Sequence, residues 1–231
     1  SIVGGVLGAG LAAAGMNIVN WLTMSKIAAS WVISPVLGGI IAASFLFFIT
    51  TKIINKKDKV NAARKWIPVL IAVMAAAITA YMTIKGFKKV YKASLVEIIS
   101  YTIFVAVITF ILSKPWTNKK LLSLKNEKKD IYTLFNFPLI IGVALLCFAH
   151  GANDVANAVG PLAAIVSTFN DTNEIASKVS IPFWVMLIGA IGISFGLLLF
   201  GPKLIKTVGH KITRLNAPRA YCVAISSAIT V

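Results

Sequence analysis

Between Phe135 and Phe169 the chain reads FNFPLIIGVALLCFAHGANDVANAVGPLAAIVSTF, about 35 residues without a Lys, Arg or Glu. A helix crosses roughly 30 Å of bilayer hydrocarbon in about 20 residues, so this run is too long for one straight crossing. In its middle lie His150, Gly151, Asn153, Asp154, Asn157, Gly160 and Pro161. Polar and helix-breaking residues at that depth predict a discontinuous helix, or two half-helices meeting within the membrane.

Working outward, Ser34–Thr51, Trp66–Thr83, Ser94–Ser113 and Ile181–Phe200 each predict a full membrane span. Ile2–Gly15 is too short for one and predicts a truncated helix or half of a re-entrant hairpin. Asn20–Val32 carries Trp21, Lys26 and Trp31, a mixture that predicts a segment at the membrane–water interface. Ala217–Val231 begins a further span. The chain opens at Ser1 in an apolar, Gly-rich run with no Met or basic leader, and it closes at Val231 in another apolar run. These ends predict a piece of a longer protein rather than a signal peptide.

Composition points the same way. Of the 231 residues, 58% are hydrophobic and 13% charged, with a mean hydropathy of +0.86. A soluble domain of this size needs a charged shell that this chain cannot supply. The fold class predicted is all-α: a polytopic transmembrane helical bundle. The net charge of +16 does not indicate nucleic-acid binding, because the basic residues sit in short clusters between apolar spans, as the positive-inside rule requires. Cys147 and Cys222 lie in apolar segments and suggest neither a disulfide framework nor a metal site.

The alternate loops Lys52–Lys65, Lys114–Asp130 and Lys203–Arg219 hold six, six and five of the 23 Lys and Arg, and are predicted cytoplasmic. Lys85–Lys92, with four lysines, runs against this pattern. The most polar stretch, KPWTNKKLLSLKNEKKD at Lys114–Asp130, reads as a solvated linker. The predicted organisation is therefore 1–112, a set of spans; 113–134, a polar cytoplasmic linker; and 135–231, a second set.

An ionisable side chain inside a bilayer costs several kcal/mol unless it is compensated. Of seven acidic residues, only Glu97 and Asp154 fall within apolar segments. Glu97 lies in the first turn of its span, where a carboxylate favoured by the helix dipole competes with a buried functional role. Asp154 sits among other polar groups. On a helix, Asn157 shares a face with both Asn153 and Asp154, so three oxygen-bearing side chains converge beside any carbonyl freed around Gly151. These are hard ligands, suited to Na⁺ or a transferable proton. The small residues Gly151, Ala152, Ala156, Ala158 and Gly160 predict close approach of neighbouring helices. His150 is isolated, and a structural role suits it better than metal ligation.

No Lys or Arg falls near the middle of a span. An anion carrier built this way must use helix N-termini, backbone N–H groups, hydroxyls and co-bound cations. A buried carboxylate beside an anion makes sense only with a cation between them.

At Gly151–Ala158 the residues read GANDVANA and continue as VGPLAA to Ala164. This closely resembles the signature of the inorganic phosphate transporter (PiT) family of sodium– or proton–phosphate symporters. Weaker likenesses are SWVISPVLGG at Ser30–Gly39 and SIVGG at Ser1–Gly5. The resemblance implies an inverted-repeat transporter in which each half carries one signature copy, with 1–112 ending the first repeat and 135–231 opening the second. It further implies a cation, Na⁺ or H⁺, at Asp154, Asn157 and Asn153, and phosphate held through Asn153, Gly151, Ala152 and Ser1. Cation-coupled symport of inorganic phosphate across the cell membrane follows, with no cofactor beyond the coupling ion, no other metal site and no nucleic-acid partner. Family members are expected to be homodimers in the lipid bilayer.

The alternatives are a carrier of sulfate or another oxyanion, and a non-transporting structural membrane subunit. An intramembrane enzyme would need a His/Glu or Ser/Lys constellation at membrane depth, and none is legible. ATP-driven transport would call for a GxxxxGK[ST] motif, which this chain lacks.

Overall fold

The structure, a computed structural model, describes residues 2–86, 93–170, 181–212 and 215–230. Among them there are α-helices and no strand: α1 Ile2–Ala14, α2 Trp21–Ile49, α3 Lys59–Tyr81, α4 Leu95–Leu121, α5 Lys128–Thr133, α6 Asn136–Asn170, α7 Phe183–Lys206 and α8 Ala217–Thr230. Short π-helical turns at Thr50–Ile54, Met82–Gly86 and Thr207–Ile212 extend α2, α3 and α7. Among the described residues, five helical stretches are long and apolar enough to cross a membrane. The all-α membrane class and each predicted full span are thus found in the fold.

Local chemistry sets the helix starts. Asn20 Oδ1 accepts from the Thr23 N–H at 3.0 Å, and Asn216 Oδ1 from the Arg219 N–H at 3.0 Å. Asp58 caps α3 through the Asn61 N–H at 3.0 Å, and that hydrogen bond is the main reason its pKa lies below the ordinary value. Gly15, at φ 73°, ends α1 in the left-handed region that glycine tolerates.

Three expectations are corrected. The run Phe135–Phe169 does not form a discontinuous helix: α6 continues unbroken for 35 residues. At 1.5 Å per residue it spans about 52 Å, more than the hydrocarbon thickness. Ala, Val and Leu around the polar residues are able to propagate the helix, and an i→i−4 ladder, interrupted at Pro161, satisfies backbone groups that hydrocarbon would leave unpaired. Pro138 lies in the first turn, where no N–H is missed. Likewise Asn20–Val32 is not a separate interfacial segment, because from Trp21 onward it is the start of α2. Finally, the first part of the Lys114–Asp130 loop is helical, since α4 runs on to Leu121.

The described residues fall into two compact units. One is drawn from 1–31 and 150–213, the other from 32–149 and 214–231, so α2 and α6 each contribute to both. In the second unit the core joins Ile49, Ile53 and Ile54 to Ile67 and Leu70 of α3, Leu121, Ile131, Phe135 and Tyr221. Tyr221 is fully buried, and its hydroxyl donates to the Leu70 carbonyl, pinning α8 to α3. Asn126 accepts from the Lys59 N–H and donates to the Lys57 carbonyl, both at 2.8 Å. The loops flanking Lys57 and Asn126 therefore lie at one end of this unit, as their shared basic character predicts. Most of Lys85–Lys92 and of Phe169–Ser180 lies outside the described residues.

In the first unit Val159 and Ala163 of α6 pack on Val185 of α7, flanked by Val166 and Ile181. A Cβ on Gly189 would collide with Val159 Cγ1, and Val155 Cγ1 would lie 3.4 Å away. The close approach predicted for α6's small residues is thus made by a glycine of α7. Gly151 and Gly160 have nothing within 4 Å of a notional Cβ.

Candidate cation site on helix α6

An α-helix turns by about 100° per residue, so the two faces of α6 can be laid out from its register. Val155, Val159, Ala163 and Val166 fall within an arc of about 80° and form the seam with α7. His150, Asn153, Asp154, Asn157 and Pro161 fall within an arc of about 100° on the opposite side. The continuous helix brings together what the sequence predicted as convergent, by regular spacing instead of by unwinding.

Asp154 and Asn157 are both exposed, and Gly151 is half-buried. Among the described residues no basic side chain pairs with Asp154, and α6 itself carries no Lys or Arg. His150 is half-buried and has an interaction partner already. Asn153 belongs to the arc by its backbone position, while the side chains of Asn153 and Ala152, and the whole of Ser1, lie outside the described residues.

One contributor was missed from the sequence. Pro161 has no N–H to give to the carbonyl four residues earlier, which is that of Asn157. The available carbonyl is therefore on the polar arc, at the residue whose side chain also lies there, and not at Gly151 as expected. The i, i+4 spacing of Asn157 and Pro161 was the legible signal. A carboxylate, an amide oxygen and a backbone carbonyl form a hard oxygen set suited to an alkali cation. Among the described residues no group of three or more His, Cys, Asp or Glu gathers to bind a metal ion.

Glu97 resolves differently. Its Oε2 accepts from the Ser94 N–H at 2.7 Å, and the Glu97 N–H donates to Ser94 Oγ at 3.3 Å. This reciprocal pair is a capping box at the start of α4, and the helix-start role accounts for this carboxylate.

The described residues are those of a helical membrane protein in which α6 carries an exposed carboxylate, without a basic partner among them, on its polar face. The chain belongs to the phosphate transporter family, whose model matches residues 1–231. It is 49% identical over 233 residues to a protein of Helicobacter pylori named "Putative phosphate permease", covering 100% of this chain and 44% of that one. A Pyrococcus furiosus protein of the same description is 35% identical over 236 residues, covering 100% of this chain and 55% of the relative. Among solved structures, "The sodium-dependent phosphate transporter" superposes with a TM-score of 0.83 at 35% identity, over 99% of this chain and 56% of that one. The chain thus spans about half the length of the relatives it matches.

Proposed function

We propose that the protein of which this chain forms part is a secondary active transporter that carries inorganic phosphate together with Na⁺ across the cell membrane. The observation that carries the reading is Asp154: an exposed carboxylate in an apolar helix, with no basic partner among the described residues, on the face turned away from the α6–α7 seam. A charge in that setting is maintained only if a mobile cation compensates it. Membership of the phosphate transporter family supports phosphate as cargo, and the likeness to a structure titled as sodium-dependent favours Na⁺ over H⁺.

In this reading Asp154, Asn157 and Asn153 hold the cation. Asn153, with the backbone at Gly151 and Ala152 and the hydroxyl of Ser1, contacts phosphate, so that the cation lies between carboxylate and anion. Residues 1–112 close one repeat, 113–134 form a cytoplasmic linker and 135–231 open the second repeat. The working unit is a homodimer in the bilayer. The family being one of transporters, a non-enzymatic role is the coherent one.

The test is uptake of labelled phosphate by proteoliposomes of the complete protein, with Na⁺ and pH gradients imposed separately and unlabelled sulfate as competitor. Uptake driven by the Na⁺ gradient and insensitive to sulfate is expected. Uptake that follows only the pH gradient would reassign the coupling ion, and inhibition by sulfate would reassign the cargo.

A further inference from the structure

A cavity of ≈ 460 Å³ opens among α3, α4 and the first half of α6, wholly within the second unit. Its walls are apolar, with Ile78, Leu112, Ile141 and Leu145 among them. Of the three hydroxyls on its wall, Thr79, Thr109 and Ser113, Thr79 donates to the Ala75 carbonyl at 2.8 Å and Ser113 to the Phe110 carbonyl at 3.0 Å. Thr79 and Ser113 thus need no hydrogen bond from an occupant. Leu112, Ile141 and Leu145 are also exposed, so the cavity opens sideways. An apolar hollow of this size is a poor place for water.

The basic end of the cavity is built differently. Trp116 and Phe137 stack there with centroids 5.4 Å apart, the amphipathic aromatic placement found at headgroup level. Lys119 and Lys120 follow Trp116 by three and four residues, one turn further along the cavity side of α4, and both are exposed. Of the nearest acids along the chain, Glu127 immediately precedes α5 and Asp130 lies in its first turn, and Asp130 Oδ2 already accepts from the Lys125 N–H at 2.9 Å.

We propose that this cavity holds one acyl chain of an anionic phospholipid, with its phosphate against Lys119 and Lys120. The shape and polarity of the hollow select a hydrocarbon chain, and charge complementarity at the mouth selects a negative headgroup. This site is separate from the polar arc of α6 and does not depend on what the transporter carries.

Native mass spectrometry of the delipidated complete protein, titrated with phosphatidylglycerol, phosphatidylcholine or oleate, tests it. One phosphatidylglycerol per cavity is expected to be retained roughly thirtyfold more tightly than phosphatidylcholine, as two lysines near a membrane surface supply. The double change Lys119→Ala with Lys120→Ala should equalise the two lipids. Ala75→Phe, which fills the cavity, should weaken both. Where Ala75→Phe does not give a monodisperse protein, the lysine pair decides alone. Equal retention of both lipids by the unaltered protein would overturn the proposal. So would a lysine variant that still prefers phosphatidylglycerol, oleate competing on equal terms with it, or cross-linking from Leu112 to a second copy of the chain in place of lipid.

Discussion

Glu97 and Asp154 are the two carboxylates placed within apolar helices, and their surroundings differ in kind. Glu97 stands at the start of α4 and is engaged with Ser94 through both halves of a capping box. Asp154 stands in the interior of α6, where the helix provides its own backbone hydrogen bonds, and it faces away from the seam with α7. A carboxylate at a helix start has orphan N–H groups to accept from, whereas one in mid-helix has none. Position along the helix, more than depth in the sequence's apolar runs, separates a structural acid from one available to a passing ion.

The largest effect expected from this contrast is at Asp154. Asp154→Asn in the complete protein removes charge but little volume, and should cut Na⁺-dependent phosphate uptake at least about a hundredfold while leaving the purified protein folded. Asn157→Leu comes next. It removes an amide oxygen from the arc and should raise the Na⁺ concentration for half-maximal uptake roughly tenfold, with a smaller effect on the maximal rate. Gly189→Leu tests the seam that fixes which face of α6 is polar. Its side chain would drive into Val159 and Val155, and a stability loss of about 1–3 kcal/mol is expected in thermal unfolding. The smallest effects belong to the cap: Ser94→Ala should cost about 1 kcal/mol in stability with unaltered Na⁺ dependence. Glu97→Gln, which can keep the box, should change neither by more than a few tenths of a kcal/mol.

How much of this was legible in the residues depends on the distance over which each feature is decided. The spans were legible because about 20 apolar residues settle them locally. The GANDVANA run fixed the candidate ligands because i, i+3 and i+4 spacing holds on any helix. Helix continuity at Gly151 and Gly160 was not legible. Glycine and asparagine are weak helix formers in water, yet the cost of unpaired backbone in hydrocarbon outweighs that preference. Nor could the residues say which glycine meets a neighbour, since Gly189 matters only because Val159 of another helix points at it. The carbonyl released by Pro161 was written in the spacing, but it is overlooked when a break at Gly151 is assumed.

The most direct measurement is Na⁺ binding itself: calorimetric titration of Na⁺ into the complete purified protein with phosphate present, for the unaltered chain, Asp154→Asn and Glu97→Gln. Saturable binding in the unaltered protein and in Glu97→Gln, and its loss in Asp154→Asn, is the predicted result. Binding of unchanged affinity in Asp154→Asn would contradict the assignment of this aspartate as the cation's counter-charge.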